Sequence, residues 1–495
     1  MSREARKALL LVALADLLRL AGAIPLGLGD AEALYANYAL HVQGGYLDHP
    51  PLIGWLDRLV LMAWPSAFAL RLMAVSLFTL SAWLLFRLAR TLFDDRAAWY
   101  AVAILCIAPV FHLGGLAAAP DAPLAPLWIW WLAGAWAVWR NGATTWPRTL
   151  AWAAVLGLLL GEAFLAKYSA LALIPVALVV AWRLGGARRW AAIAVGAACA
   201  SAAALPVIVW NARHGWASVM HRLVWSQDGA GPSFRNLGAL VGGQLLYLSP
   251  LVAIGLAWAV VRAWRERTDP AVRFSLVASL LPFAVLAPVC LWSRAAEPHW
   301  PLPAYFALLP LAGRLAAGAT GRARRFVRAA AIVAVAMDAL VYVAVLTPVL
   351  PRWVPEPVYV AKYDIANELY GWSDVAAAVR RRLPPCGIVV AGHYTMCAQL
   401  AWNVDAFRVA CRTRLPTDFD FWPPEGPDWW KPMGRTTFDV PVLFVSDERF
   451  PDRPPGPGGA AAPSPVETVM VERGGVPVRR FVLTSYAAGT VSLRP

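Results

Sequence analysis

The sequence predicts an α-helical polytopic membrane protein of about eleven transmembrane helices, followed by a C-terminal extracytoplasmic α/β domain. Three observations predict this class. Of the 495 residues, 59% are hydrophobic, only 15% are charged and 26 are tryptophan, a composition more apolar than a soluble core needs. Apolar runs of nearly bilayer length recur through the first 350 residues. Beyond them the long runs stop, and prolines, charges and strand-like segments take their place.

The apolar runs divide the first part of the chain into predicted spans. They are 7–28, 67–93, 97–113, 122–140, 149–165, 169–183, 190–210, 236–262, 272–293, 301–318 and 328–350. The first run follows a short basic arm, and without a small-residue cleavage site before the next loop we expect a retained helix. Within it, Asp16 and Arg19 are spaced to pair on one helix face, which lowers the cost of both charges in lipid.

Basic residues orient the predicted spans. If the N-terminus is cytoplasmic, twenty Lys and Arg residues fall in cytoplasmic segments and six in the opposite loops. The positive-inside rule then favours a cytoplasmic N-terminus, and eleven spans place the C-terminal domain outside. The net charge of +14 does not indicate nucleic acid, because the arginines form short clusters between apolar runs. We therefore expect a membrane environment and no nucleic-acid partner.

Two domains are predicted. Residues 1–350 form the membrane domain, which includes a first external loop at 29–66, and residues 351–495 form a soluble α/β domain. In the second domain, GIVVAG, VPVLFVSD and RRFVLTS indicate strands, SDVAAAVRRRL indicates a helix, and 451–465 is a Pro/Gly-rich loop. Cys386, Cys397 and Cys411 also lie there, and their spacing does not say which pair would form a disulfide in an oxidising compartment.

The first external loop carries the most unusual residues. Asp30 and Glu32 lie just past the first apolar run, and carboxylates beside a bilayer suggest groups whose protonation is used in chemistry. A helix N-cap explains Asp30 equally well, and the two roles are compatible. Later in the loop, YLDHPPLIGW holds Asp48 and His49 in front of two prolines that fix the backbone.

Other acids, cations and imidazoles also lie at the predicted outer ends of the spans. They are Asp121 in PDAPL, Lys167 in FLAKYSAL, Arg213 and His214 in WNARHGW, and Arg294, Glu297 and His299 in SRAAEPHWP. Each alone is explained by a turn, a helix cap or a side chain that anchors the helix at the interface. Together they predict one pocket at the water boundary, where acids activate an acceptor and cations hold a phosphate. Motifs of soluble zinc and nucleotide enzymes, such as HExxH and the Walker loop, do not occur.

Eight motifs are spread along nearly the whole chain, namely DAEALY, YLDHPPLIGW, PDAPL, FLAKYSALALIP, WNARHGW, AEPHWPLPAY, DFDFW and VLFVSDERF. On them, the sequence resembles the GT-C membrane glycosyltransferases related to protein O-mannosyltransferases and to the lipid A aminoarabinose transferase. The resemblance implies an inverting transferase in a bacterial inner membrane, with its C-terminal domain periplasmic or extracellular. The implied donor is a sugar on a polyprenyl phosphate, and the implied acceptor is lipid A, another glycolipid or a protein.

The resemblance also implies roles for single residues. Relatives carry an acidic pair, usually adjacent Asp-Glu, as general base in the first external loop. Glu32 matches the second acid, but Ala31 stands where the Asp is expected and Asp30 comes one residue earlier. Either acid could serve. We expect Asp30 to dominate because its shorter side chain is held more tightly, although Glu32 has the direct positional match. Asp121 matches the acid of the second external loop, which supports the acceptor site in relatives.

Further roles follow from charge and ligand chemistry. Lys167, Arg213, Arg294 and His49 are candidate ligands of the donor phosphate. Asp48 together with His214 or His299 could hold a divalent metal ion, because carboxylate and imidazole suit zinc or manganese.

Two other classes of membrane protein remain as alternatives. A lipid or sugar transporter or flippase should show internal repeats and ionisable groups near mid-membrane, whereas here no repeat is visible and the outer loops hold most acid-base groups. A scaffold that only binds partners would not need Asp30, Glu32 and Asp121 together.

Overall fold

The computed structural model describes residues 1–142, 145–294, 297–355, 357–422, 438–450 and 465–492. Twenty α-helices and five strands are described within those ranges. The helices are α1 Arg3–Ala23, α2 Asp30–Leu40, α3 Leu52–Ala63, α4 Ala67–Leu92, α5 Asp95–Ile107, α6 Pro109–Gly114, α7 Asp121–Asn141, α8 Trp146–Ala166, α9 Ile174–Trp182, α10 Gly186–Ala203, α11 Leu205–Arg213, α12 Ala217–Leu223, α13 Phe234–Leu248, α14 Pro250–Arg265, α15 Pro270–Trp292, α16 Leu309–Ala317, α17 Gly321–Leu346, α18 Val349–Trp353, α19 Trp372–Arg382 and α20 Tyr394–Asn403. The strands are β1 Ile388–Ala391, β2 Val409–Cys411, β3 Val442–Asp447, β4 Pro465–Arg473 and β5 Val476–Tyr486.

The chain divides into two compact units. The first unit contains Met1–Ala23, His49–Ile53 and Phe68–Leu340, and the second contains Ile24–Asp48, Gly54–Ala67 and Val341–Pro495. Most of the first external loop is thus grouped with the C-terminal part of the chain. The division into domains 1–350 and 351–495 stays a prediction.

The first unit is helical and has one large apolar core. Among the described residues, four helices are long and apolar enough to cross a membrane, namely α4, α8, α15 and α17. The count rises to six if each of two bent helix pairs forms one span. The predicted polytopic helical class is therefore confirmed, whereas the count of eleven spans stays a prediction.

Two predicted spans are not straight helices. The span at 190–210 is bent by 59° between α10 and α11, and the span at 236–262 is bent by 104° between α13 and α14. Proline lies in the first turn of the second helix in each pair. Proline lacks the N–H that continues a helix and clashes with the preceding turn, so each apolar run contains a break.

An ion pair in α1 was predicted from residue spacing, and it is present. Arg19 lies 2.8 Å from Asp16 and donates from Nε to the carbonyl oxygen of His112 at 2.6 Å. Thr79 on α4 donates to the second Asp16 oxygen at 2.7 Å. Buried charges are tolerated when they are paired and hydrogen-bonded in this way, so α1 can carry both charges among apolar neighbours.

The second unit is built on a five-stranded sheet with the strand order β2-β1-β3-β5-β4. Strand β1 pairs in parallel with β2 and β3, while β5 pairs antiparallel with β3 and β4. The predicted strands correspond to β1, β3 and β5, and the predicted helix to α19. Strands β2 and β4 and helix α20 were not predicted. The Pro/Gly-rich loop at 451–465 lies outside the described residues except for its last residue.

Helix α20 connects the sheet to the first external loop within this unit. Asn37 on α2 donates to the carbonyl oxygen of Ala398 on α20 at 2.9 Å. Cys397 on the same helix forms a disulfide with Cys411 at the end of β2, whereas Cys386 is free and exposed. This resolves the pairing that spacing left open.

Candidate functional site

The two acids of the first external loop occupy the first turn of α2. The helix begins at Asp30, and Gly29 is its N-cap. Glu32 bonds back to that cap, because its Oε2 accepts from the Gly29 N–H at 2.9 Å. The interpretation of Asp30 as the N-cap is therefore wrong: the carboxylate that satisfies an N-terminal amide belongs to Glu32. Negative charge in a first turn is also favoured by the helix dipole.

The Asp30 side chain is bound by two residues from the C-terminal part of the second unit. Its Oδ2 lies 3.3 Å from an Arg449 nitrogen, and its Oδ1 accepts from the Gln399 amide at 3.2 Å. The Asp30 side chain is only 7% exposed. A carboxylate held by a guanidinium and an amide in this way has little freedom to approach a substrate.

Arg449 belongs to a buried ionic network behind Asp30. Arg449 and Arg479 both donate to Asp447 at the end of β3, each from Nε at 2.9 Å. Burial by itself would raise the pKa of Asp447, but the charges of Arg479 and Arg449 hold this pKa below its usual value. The network therefore fixes Arg449, and through it Asp30.

A third acid, Glu368, faces Asp30. The backbone N–H of Asp30 donates to the Glu368 carboxylate. Burial and then the negative charge of Asp30 raise the pKa of Glu368 to about 7, and the charges of Arg449 and Arg479 only partly oppose this. Glu368 is thus the group in this cluster whose charge changes near neutral pH.

The loop before His49 is held by Asp418, which belongs to the DFDFW motif. The Leu47 N–H donates to Asp418 Oδ1 at 2.7 Å, and the Tyr38 hydroxyl donates to Oδ2 at 2.9 Å. The Asp48 N–H is a further donor. Burial and then the charge of Asp48 raise the pKa of Asp418 to about 8. Asp418 therefore sets the backbone of the turn that carries Asp48.

A second cluster of candidate site residues lies in the first unit and contains Lys167, Asp121, His299 and His49. Lys167 at the end of α8 donates to Asp121 at the start of α7, with Nζ 2.6 Å from Oδ2. His299 and His49 are the other charge-bearing groups that act on Asp121. Lys167 is 8% exposed. Burial and then the charge of Lys167 lower the pKa of His299 to about 4, so its imidazole is neutral at neutral pH.

The other cationic candidates have different surroundings. Arg294 is exposed and donates to the carbonyl oxygen of Asp228 at 2.9 Å. Arg213 is exposed in the last turn of α11. His214, the next residue, stacks on Trp210 with ring centroids 4.3 Å apart. The contacts of Arg294 and His214 tie these two side chains to neighbouring residues of their own region.

The predicted metal ligands do not form a recognisable centre. In the part of the chain that the structure describes, no group of three or more His, Cys, Asp or Glu side chains is arranged to hold a metal ion. Asp48 belongs to the second unit, and His214 and His299 to the first. The metal ion stays a prediction, and no chemical step is assigned to it.

Several residues of the site were not predicted individually. Arg449 and Asp418 lie inside the motifs VLFVSDERF and DFDFW, which carried the family resemblance without assigned roles. Gln399 and Glu368 gave no signal, because neither stands in an unusual pattern.

Comparisons with known proteins agree with this architecture. The sequence profile described as dolichyl-phosphate-mannose-protein mannosyltransferase matches residues 48–210, about a third of the chain. The crystal structure of ArnT from Cupriavidus metallidurans bound to undecaprenyl phosphate aligns with a TM-score of 0.65 and 16% identity, covering 98% of each chain. The chain has a GT-C fold.

Two curated relatives are also similar in sequence. The lipid A galacturonosyltransferase RgtD of Rhizobium johnstonii is 26% identical over 284 residues, which cover 56% of this chain and 58% of the relative. The undecaprenyl phosphate-alpha-4-amino-4-deoxy-L-arabinose arabinosyl transferase of Erwinia tasmaniensis is 26% identical over 383 residues, which cover 71% of this chain and 64% of the relative. The chain thus spans less than two thirds of each relative. The resemblance to GT-C membrane glycosyltransferases is confirmed.

Proposed function

We propose that this protein is an inverting membrane glycosyltransferase that moves a sugar from a polyprenyl-phosphate donor to a glycolipid acceptor on the external face of the inner membrane. The observation that carries the proposal is the buried Lys167, held at 2.6 Å by Asp121 beside two histidines. A buried ammonium with hydrogen-bonding neighbours suits an anionic ligand such as a phosphate. The names of both curated relatives, which are sugar transferases, support the reaction class.

Glu32 is assigned as the general base in this proposal. In the attack, the acceptor oxygen or nitrogen bonds to the anomeric carbon, the bond from that carbon to the phosphate oxygen breaks, and the acceptor proton passes to the base. Asp30 is held by Arg449 and Gln399, so its side chain has less freedom to reach the acceptor. Glu32 accepts the Gly29 N–H at the start of α2, and it is the acid that matches the second position of the acidic pair in relatives. The initial preference for Asp30 is therefore reversed.

Lys167 is assigned to the donor phosphate, and Asp121 holds Lys167 in place. The leaving group is already a stable phosphate, so the protein mainly has to bind it and offset its growing charge. His49 and His299 lie in the same cluster, and the imidazole of His299 is neutral at neutral pH because burial lowers its pKa to about 4. Arg213 and Arg294 have weaker support, because both are exposed and lie outside that cluster.

External placement of the chemistry rests on two features. The basic residues favour cytoplasmic connections on one side, which leaves the first external loop and the C-terminal domain on the other. The Cys397–Cys411 disulfide is typical of an oxidising compartment such as the bacterial periplasm. Among acceptors, the name of the Rhizobium relative favours a lipid A-type glycolipid over a protein.

A transporter is the second candidate, and one observation favours it. Asp338 on α17 is 6% exposed, and no hydrogen-bond partner is described for its Oδ1. Ionisable groups buried in apolar helices often mark transport paths. Asp338→Asn should abolish lipid or sugar transport across proteoliposomes if the protein is a transporter, and it should leave sugar transfer within a few-fold if the protein is a transferase.

The proposed reaction is tested in cells that lack the gene. Mass analysis of envelope glycolipids and glycoproteins should show one sugar missing from a glycolipid, restored by the wild-type gene and by Asp30→Asn at reduced level. Glu32→Gln should not restore it, because positioned bases contribute at least about a hundredfold to rate. An unchanged glycolipid profile in the deletion strain would reject the proposal, and full restoration by Glu32→Gln would reject the assigned base.

A further inference from the structure

Two arginines lie over one tryptophan ring where three helices of the first unit pack together. Trp139 is in the last turn of α7, Arg183 follows the end of α9, and Arg273 is in the first turn of α15. The guanidinium carbon of Arg183 lies 4.2 Å from the centroid of the Trp139 ring, and that of Arg273 lies 5.7 Å from it. Both distances fall within the range of a cation–π contact. The indole ring therefore has two positive charges beside it.

These two positive charges have no negative partner in the described part of the chain. Both arginines are exposed, and neither forms an ion pair or a side-chain hydrogen bond there. At another helix end an arginine does find a carboxylate, since Arg90 in the last turn of α4 lies 2.9 Å from Asp95. Two like charges at one ring repel each other, and an anion bound by both would offset that repulsion. The pair therefore has the charge of an anion-binding site.

The indole N–H of Trp139 also lacks a partner. Trp139 is only 5% exposed, and no hydrogen-bond acceptor is described for its Nε1. Trp131 and Trp136 on the same helix both donate to backbone carbonyl oxygens. Trp128 likewise has no described acceptor, but it lies about three helical turns before Trp139, and no described arginine lies over its ring. A buried N–H without an acceptor is costly, so the Trp139 indole suits a ligand that supplies one.

Several features indicate that these helix ends lie at the membrane surface. Helix α15, which carries Arg273 in its first turn, is a candidate membrane span. Trp182 and Trp190 are 57% and 58% exposed, and Arg189 lies over the Trp182 ring at 4.1 Å. Exposed tryptophans and arginines at span ends are typical of the boundary between lipid and water. The basic residues favour the cytoplasmic side for these ends, and the cytoplasmic leaflet carries anionic lipids.

We propose that Arg183, Arg273 and Trp139 form a binding site for the phosphate group of an anionic phospholipid at the cytoplasmic membrane surface. The two guanidinium groups donate to the phosphate oxygens and balance their charge, because the fork of N–H donors on arginine matches a phosphate. The Trp139 indole N–H donates to a further oxygen. The site does not depend on the proposed transfer reaction, since it uses neither Lys167 nor Glu32.

The first test compares two lipids and a variant without the two charges. Native mass spectrometry of the full-length protein in detergent measures the affinity for phosphatidylglycerol and for phosphatidylcholine with the same acyl chains. Wild-type protein should bind phosphatidylglycerol at least about tenfold more tightly than phosphatidylcholine. Arg183→Gln combined with Arg273→Gln should weaken phosphatidylglycerol binding about tenfold or more, because each basic residue near the surface contributes about fivefold.

The matched control removes two other positive charges from the same predicted side. Arg262 and Arg265 are exposed in the last turn of α14, and no contact with a tryptophan ring is described for either. Replacing both with Gln should change phosphatidylglycerol binding less than about threefold. A general attraction between basic residues and anionic lipid predicts equal losses in the two double variants.

Two further variants separate charge from hydrogen bonding. Arg183→Lys combined with Arg273→Lys keeps both positive charges, so phosphatidylglycerol binding should stay within about fivefold of wild type. Trp139→Phe keeps an aromatic ring and removes the N–H, so binding should weaken about threefold to tenfold, with no change for phosphatidylcholine. Thermal unfolding in detergent without added lipid checks that each variant is folded.

Three results would overturn the proposal. Equal affinities of the wild-type protein for the two lipids, or equal losses in the two double Gln variants, would show that this pair of arginines is not a specific site. Unchanged phosphatidylglycerol binding in Trp139→Phe would remove the indole from the site and reject the three-residue arrangement. Displacement of phosphatidylglycerol by an excess of inorganic phosphate would assign the site to a soluble phosphate compound rather than to a lipid.

Discussion

At the scale of single residues, the main finding is that Asp30 and Glu32 are neighbours with different tasks. Asp30 is held by an arginine and a glutamine, while Glu32 caps its own helix. The sequence identified these two acids but could not show that they have different tasks. Gln399 lies 369 residues from Asp30 along the chain, and no local pattern predicts a contact over that separation.

Lys167 should be the most important cation for donor binding. Replacing it with Gln removes a buried, charge-assisted contact to phosphate, which should weaken donor binding about tenfold to a hundredfold. Arg294→Gln is the matched control, because Arg294 is exposed and donates to the backbone carbonyl oxygen of Asp228. This variant should change the dissociation constant of the donor less than about threefold. The measurement is equilibrium binding of a polyprenyl-phosphate sugar to protein in detergent. Equal losses in both variants would contradict the assignment.

Glu368 should make stability depend on pH in a defined direction. Its folded pKa of about 7 lies above its usual 4.5, so its stabilising contribution is present below about pH 4.5 and is lost as the pH rises through 7. Glu368→Gln should therefore raise the Tm at pH 8, by the equivalent of about 1–3 kcal/mol, and change it little near pH 4.5. Glu472→Gln, an exposed acid on β4, is the control. A rise in the Tm of Glu368→Gln at pH 4.5 but not at pH 8 would contradict the direction of the Glu368 pKa shift.

At the scale of elements, apolar runs predicted where helices lie better than how they bend. The run at 236–262 is long enough for one span, yet it turns by 104° between α13 and α14. Pro250 is the first residue of the second helix, and it was the sequence feature that could have predicted the bend. Hydropathy alone does not report such a break, because both arms are apolar. In the second unit, strands β1 and β3 were predictable because they are short, continuous apolar runs.

The disulfide between α20 and β2 should stabilise the second unit. Its cysteines are 14 residues apart, and closing a loop of that size contributes about 3 kcal/mol in the chain-entropy account. Replacing Cys397 and Cys411 together with Ala should lower the Tm of the oxidised protein, whereas Cys386→Ala should not, since Cys386 is free and exposed. Thermal unfolding with and without reductant measures both. A reductant effect that survives in the double variant would contradict the pairing.

At the scale of the whole molecule, the sequence predicted the fold class and the reaction class, because both depend on features spread along the chain. Composition indicated the membrane, and eight motifs indicated the GT-C resemblance. The grouping of the first external loop with the C-terminal sheet was not predictable. It depends on contacts such as those of Asp418 with the Tyr38 hydroxyl and the Leu47 amide.

Topology is the prediction that belongs to the whole chain. A reporter fused after Pro495 should be active only outside the cytoplasm, and one fused after Arg267 only inside. The expectation rests on the asymmetry of basic residues and on an odd number of spans. A phosphatase and a fluorescent protein, which are active on opposite sides of the membrane, measure it. Finding both fusions on the same side would refute the predicted eleven spans.

In the proposed reaction, this protein breaks the bond between a sugar and a polyprenyl phosphate and joins that sugar to a glycolipid, with Glu32 as base. The most direct measurement uses purified protein in liposomes with a donor labelled in both sugar and phosphate, and a glycolipid acceptor. Glycosylated lipid and free polyprenyl phosphate should appear in equal amounts, and Glu32→Gln should slow the formation of both at least about a hundredfold while donor binding persists. Intact donor that only changes leaflet, or equal rates in wild type and Glu32→Gln, would contradict it.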